Sequence, residues 1–197
     1  MPLPYSHACE NNKDPILQVL KEILQPGQKV LEIGAGTGQH AEYFAAQLPE
    51  IEWQASDRAE HLDGLQRRFA QAGLSNLADP IELDINRQQL PRCQFDLVYT
   101  ANTLHIMSWP TVERLFNGLR KVLADNGKLI IYGPFNYAGT YTSGSNELFD
   151  QSLRSRNAHM GIRDIEKVQR LADQAGFNCL QDYQMPANNR LLYFFAR

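Results

Sequence analysis

The chain has 197 residues, a net charge of −3, and 43% hydrophobic and 21% charged residues. That is the composition of one globular domain with a substantial core, with little room for a second. It contains no basic block of the kind that holds nucleic-acid phosphates, no apolar run of bilayer length, and three widely spaced cysteines (Cys9, Cys93 and Cys179) without metal-type spacing, so a reduced, cytoplasmic-type protein with no bound metal, no nucleic acid and no membrane span is expected.

Pro4 to Asn12 is a polar lead-in and not a secretory signal. Asp14-Pro15 has the form of an N-cap followed by proline in the first turn, and Ile16, Leu17, Val19, Leu20, Ile23 and Leu24 give one apolar helical face before Pro26-Gly27 ends it. The lead-in either covers a neighbouring site or is a frayed tail.

Lys29 to Ile33 is a short branched apolar run, as expected of a strand buried on both faces. Gly34, Gly36 and Gly38 follow at alternate positions, and His40, Tyr43, Phe44 and Leu48 then recur at helical spacing. Strand, glycine turn and helix leave free amides at the helix N-terminus pointing into the turn. A dinucleotide fold would need GxGxxG, but the third glycine position holds Gln39. The observed pattern is Glu32 followed by GxGxG. A carboxylate so placed suits a cationic ammonium better than a pyrophosphate.

This stretch, VLEIGAGTG, resembles motif I of class I S-adenosylmethionine (SAM) dependent methyltransferases. The resemblance implies a Rossmann-like α/β fold with a seven-stranded, mostly parallel sheet, an antiparallel last strand and helices on both faces. It also implies that Glu32 meets the methionine ammonium while the backbone of Gly34, Ala35 and Gly36 lies against the cofactor SAM.

Ile51 to Ser56 is a second strand ending at Asp57, 23 residues past Gly34, where a ribose-binding carboxylate falls in a nucleotide-binding βαβ unit. Asp57 could instead cap the helix expected over Ala59 to Ala72; with the glycine turn, the ribose role is favoured, with Arg58 beside it. Pro80 to Leu83 gives a third strand. In the methyltransferases that Asp84-Ile85 resembles, the acid accepts from the adenine amino group and the apolar residue covers the ring; a simple turn acid is the other reading. Phe95 to Thr100 is the fourth strand, and its continuation brings Asn102 and His105 toward the reacting methyl in the usual strand order. The stretch lacks the Asn-Pro-Pro-Tyr type signature of enzymes that methylate amino groups of DNA bases or protein glutamine.

Ser108-Trp109-Pro110 begins a helix expected to reach about Ala124, closed by Asn126-Gly127 and followed by a fifth strand, Lys128 to Tyr132. Gly133 to Asn146 has the composition of a long binding loop, and Asn146 to Arg156 that of a helix. Asp164 is placed to cap a further helix to Ala175. Residues 133–164 form the expected substrate side of a single domain spanning 1–197, with 1–27 as N-terminal helix and lead-in. Its candidate substrate contacts are Tyr137, Tyr141, Asn146 and Arg163, although a salt bridge is the plainer role for Arg163 and a surface or packing role for His159. His105 and then His159 are the candidate general bases, if the acceptor needs one. Phe177 to Met185 and Leu191 to Ala196 close the chain as a hairpin.

More finely, Glu10 to Leu17, Gly133-Pro134-Phe135 and Gly161-Ile162-Arg163-Asp164 look like a small family of uncharacterised methyltransferase-like proteins, whose members usually carry arginine where this chain has Asn11. Methyl transfer from SAM to a small-molecule acceptor is the activity so implied. A non-catalytic SAM-binding or interaction protein is the alternative, and a NAD-dependent oxidoreductase is disfavoured by Glu32 and Gln39.

Overall fold

The computed structural model describes residues 2–87, 90–91 and 93–197. In chain order the elements are α1 (His7–Ile23), β1 (Lys29–Ile33), α2 (Gln39–Gln47), β2 (Glu52–Asp57), α3 (Ala59–Ala72), β3 (Ile81–Glu82), β4 (Phe95–Ala101), α4 (Trp109–Leu119), β5 (Leu123–Gly133), β6 (Phe135–Asn136), α5 (Gly144–Arg156), β7 (Arg163–Asp164), α6 (Ile165–Gln174), β8 (Phe177–Met185) and β9 (Asn189–Ala196).

Seven strands make one sheet in the order β3-β2-β1-β4-β5-β9-β8. Pairings from β3 through β5 are parallel, and β9 runs antiparallel to both β5 and β8. The expected sheet, with its reversed last strand, is therefore the one found. Because successive side chains point to opposite faces, Leu97, Tyr99, Ile130 and Tyr132 pack with α1, α2 and α3, whereas Val98, Leu129 and Ile131 pack with α4 and α6. Strand order reverses between β1 and β4, and the carboxyl ends on either side of that boundary open a crevice, as in open α/β sheets generally.

Three expectations are corrected. Helix α1 begins at His7 rather than at Asp14-Pro15. Ser6 caps it by accepting from the Cys9 amide, and Pro15 sits inside it. The cost of a proline there is offset by a face that buries Asn12, Ile16, Leu17 and Leu20, while Asp14 accepts from the Tyr43 hydroxyl at 2.5 Å. Helix α4 stops at Leu119, not near Ala124: Leu123 already pairs with Phe95, and Asn126, with φ of 61°, lies in an irregular stretch of β5 before Lys128 pairs with Leu97. Val122 and Leu123 are buried, a pattern that continues the helical spacing and equally suits a strand. The segment after β5 is also less loop-like than its composition suggests. Phe135 and Asn136 pair in parallel with Arg163 and Asp164, residues 137–140 close a tight turn, and Ser143 caps α5 by accepting from the Asn146 amide at 3.1 Å.

Candidate functional site

A cleft of about 630 Å³ opens at the carboxyl ends of β1, β2 and β4, within the size range of small-molecule sites. At its floor the glycine turn is shaped by close approach. Gly34 has φ of 76°, and a Cβ there would collide with Thr103 after β4; Thr103 is itself tied to Thr100, which donates to the Ile33 carbonyl at 2.8 Å. Gly38, with φ of 77°, lets α2 meet α3, because a Cβ would come within 2.7 Å of Leu65. Both positions require glycine on conformational and steric grounds together.

Three carboxyl groups line the cleft, one at or just beyond each of three neighbouring strand tips: Glu32 on β1, Asp57 on β2 and Asp84 beyond β3. Asp57 is fixed by two backbone amides, Gly36 N–H at 2.6 Å and Arg58 N–H at 2.7 Å, one to each oxygen, which leaves further lone pairs for a ligand. Asp84 accepts from the Asn86 amide at 2.9 Å, with Ile85 next to it on the cleft wall. Glu32 is only 2% exposed and accepts from the Trp53 indole N–H at 2.8 Å. Burial, opposed by that hydrogen bond and reinforced by the nearby Asp57 charge, pushes its carboxyl up to about 8. A carboxyl held so far above its ordinary range gains most from a cation brought against it.

Behind Glu32 lies a buried polar relay. His40 Nε2 is 2.6 Å from Asn12 Oδ1 and its Nδ1 is 3.1 Å from the Tyr99 hydroxyl. Burial pulls His40 down to about 4, so it is a neutral structural bridge between α1, α2 and β4. The start of the chain closes over the same end. Ser6, Ala8 and Cys9 line the cleft, the Ser6 amide donates to Gln39 Oε1 at 2.5 Å, and Thr37 donates to the same oxygen. Arg68 holds the assembly together by donating to the Thr37 carbonyl (2.8 Å), Glu42 (2.5 Å) and the Pro4 carbonyl (2.7 Å).

On the other side of the β1/β4 boundary the lining changes to Asn102, His105, Ile106, Met107, Phe149 and His159. Asn102 has φ of 57°, a conformation that asparagine tolerates better than most residues. His105 is buried, with the Phe149 ring edge-on at 5.2 Å and its carbonyl accepting from the Gly161 amide at 2.9 Å. Burial, then the Arg163 and Arg156 charges, pull it down to about 4. It is thus a neutral imidazole and a weak base at physiological pH. His159 is exposed on the rim.

The structure thus brings Glu32, Gly34, Ala35, Gly36, Asp57, Arg58, Asp84, Ile85, Asn102, His105 and His159 to one cleft, with Arg58 also ion-paired to Glu60 at 3.0 Å. It does not bring Tyr137, Tyr141, Asn146 or Arg163 into the lining. Tyr137 donates to Asp182 at 2.6 Å and Tyr141 to Asp150 at 2.8 Å, while buried Asn146 bonds Thr142 and the Asn188 carbonyl. Arg163 forms no salt bridge among the described residues; it donates to the Leu104, Met107 and His159 carbonyls. Sequence reasoning missed Ser6, Cys9, Thr37, His40 and Phe149. Only the polar lead-in and the helical run containing His40 hinted at them.

A model of the family described as "Protein of unknown function (DUF938)" matches residues 3–196. The chain belongs to that family. Among curated proteins it is similar to malonyl-[acyl-carrier protein] O-methyltransferase of Paenibacillus sp. (strain JDR-2), 23% identical over 163 residues covering 79% of this chain and 58% of that protein. It is also similar to phosphoethanolamine N-methyltransferase 1 of Arabidopsis thaliana, 28% identical over 160 residues covering 81% and 30% respectively. The chain therefore spans less than two thirds of either relative. Among solved structures, human N-acetylserotonin methyltransferase in complex with SAM superposes with a TM-score of 0.81 at 16% identity, over 96% of this chain and 52% of that one. This DUF938 member has the class I methyltransferase fold.

Proposed function

We propose that the protein is a SAM-dependent methyltransferase acting on a small-molecule acceptor, with residues 1–197 as one catalytic domain, 1–27 covering the cofactor and 133–164 on the acceptor side. The observation that carries this reading is the row of three carboxyls around a glycine turn, with Glu32 buried and raised to about 8. Such a row disfavours the pyrophosphate of a dinucleotide, beside which Glu32 would stay protonated, and suits a nucleoside whose cationic ammonium favours the ionised Glu32. The methyltransferase names of the curated relatives point the same way.

In this reading Glu32 faces the ammonium, the amide-oriented Asp57 accepts from the ribose hydroxyls, and Asp84 with Ile85 receives the adenine. When bound, SAM supplies a methyl group already activated by its sulfonium leaving group. The chain's own contribution is to hold the acceptor in line, exclude water and close the cleft with Ser6 and the start of α1. Positioning of this kind is worth roughly 7 to 11 kcal/mol in favourable intramolecular systems.

Calorimetric titration tests the proposal. SAM and its demethylated product, S-adenosylhomocysteine, should bind with one-site isotherms, and fluorescence titration with NADH should show no saturable binding. NADH binding in the absence of SAM binding would overturn it. SAM binding without methyl transfer to any fraction of a cell extract would favour the non-catalytic alternative.

A further inference from the structure

Charge is divided within the cleft. The carboxyls that line it, Glu32, Asp57 and Asp84, stand at or beyond the tips of β1, β2 and β3. Across the β1/β4 boundary the lining after β4 and from α5 onward carries no carboxyl among the described residues: it is amide, imidazole and apolar at Asn102, His105, Met107, Phe149, Asn157 and His159, with hydroxyls of Thr103, Ser108 and Thr111.

Two arginines stand by that wall, Arg163 behind the His105 turn and Arg156 next in the chain to the lining residue Asn157. Arg163 is half-buried directly behind the His105 turn, with its guanidinium satisfied by backbone carbonyls of Leu104, Met107 and His159. Arg156, at the end of α5, donates to the Ser152 carbonyl at 3.3 Å. Neither forms an ion pair among the described residues. Acids nearby are already matched: Asp150 accepts from Arg154, Tyr141 and the Ile162 amide, and Asp164 lies 2.8 Å from Lys167. Carbonyl dipoles satisfy the donors of Arg163 without cancelling its charge, so positive potential extends into the wall that His105 presents.

We infer that the acceptor is a small acidic oxygen compound, a carboxylate or an ionised hydroxyl on an apolar body, bound as its anion between His105, Asn102 and Phe149, and not a protonated amine. The inference rests on the methyltransferase reading of the cleft. The anion gains from Arg163 and Arg156, and from one hydrogen bond donated by the neutral His105 ring or the Asn102 amide, while the Phe149 ring and Met107 meet its apolar part. An ammonium would be driven from the same wall.

The chemistry closes without a base. A lone pair of the acceptor oxygen forms the new O–CH₃ bond while the S–CH₃ bond breaks with its electrons kept by sulfur. An oxyanion and a sulfonium thereby become a neutral methylated product and a neutral thioether, and no proton has to be removed at the site. This is consistent with a His105 imidazole too weakly basic to remove one readily.

The test uses the full chain saturated with S-adenosylhomocysteine and three one-ring probes, benzoate, 4-nitrophenolate and benzylamine, titrated calorimetrically at a pH where the first two are anions and the third is a cation. At least one anion should bind with an affinity about tenfold or more above that of benzylamine, and the margin should shrink severalfold in Arg163→Gln and in Arg156→Gln. Arg156 is exposed, so its variant keeps the test alive if Arg163→Gln does not fold. Affinity for S-adenosylhomocysteine should stay within about twofold of wild type in both variants. Benzylamine binding as tightly as the anions, no anion binding at millimolar concentration, or an anion preference untouched by Arg156→Gln would each overturn the inference. Failure of the wild type to bind S-adenosylhomocysteine would instead sink the reading on which it rests.

Discussion

The two ends of the cleft differ in how they are made. At one end the polar groups sit at or beside strand tips, each carboxyl oriented by a partner close at hand: Asp57 by the Gly36 and Arg58 amides, Asp84 by the Asn86 amide, Glu32 by Trp53 on the adjacent strand. At the other end His105, Phe149 and His159 come from the turn after β4, from α5 and from the segment after it, and they are held by contacts that cross the chain, such as Gly161 N–H to the His105 carbonyl and Arg163 to Leu104. A site built on strand tips is fixed by the sheet itself and keeps its geometry while the rest varies. A site assembled from distant segments can change its specificity without disturbing the fold.

The largest effect that would separate the two ends is expected from Asp57→Ala. Losing a charged acceptor of hydrogen bonds should weaken SAM binding by about 1.5 to 3 kcal/mol, roughly ten- to more than a hundredfold, as read by calorimetry. Acceptor-probe binding should be altered far less. Unchanged SAM affinity in a folded variant would break the ribose assignment.

A pH titration sharpens the same end. With its carboxyl near 8 in the free protein, Glu32 holds a proton at neutral pH and must release it to meet a cation. SAM affinity should therefore climb as pH rises from 6 toward 8, by at most about tenfold per unit, and then level off. Glu32→Gln should flatten the profile. Stability of the free protein should show the opposite slope, because a carboxyl whose folded pKa is raised above the unfolded value of 4.5 takes stability away as pH climbs from there through about 8. Melting temperatures of wild type and Glu32→Gln across that window would check the sign.

The smallest effect on the cofactor should come from the other end. His105→Ala is expected to leave SAM affinity within about twofold while turnover on a true substrate falls. A variant that loses SAM binding and keeps turnover per bound SAM would show that the two ends are not separate.

The same contrast explains what could be read from the chain. Lys29 to Gly38 carries its own strand, turn and helix signals, and Asp57 and Asp84 follow strands at the offsets that the sheet dictates, so the fold and the carboxyl-lined end of the cleft were legible. Pro15 masked the continuity of α1 because its penalty is local whereas the burial that outweighs it is tertiary. Val122 and Leu123 suited a helix and a strand equally. Tyr137, Tyr141 and Asn146 had the chemistry of ligand contacts, but Asp182, Asp150 and Thr142 claim them, and those pairings depend on packing that no spacing reveals. Arg68 gave no signal that it would join the Pro4 segment to the glycine turn across 64 residues.

The central claim is that three carboxyls and a glycine turn cradle a sulfonium-bearing nucleoside. A crystal structure of the full chain grown with S-adenosylhomocysteine tests it most directly. The account predicts ribose hydroxyls on Asp57, adenine against Asp84 and Ile85, and the amino group of the amino-acid portion facing Glu32. An empty cleft at saturating ligand, or the nucleoside bound with its ribose away from Asp57, would contradict it.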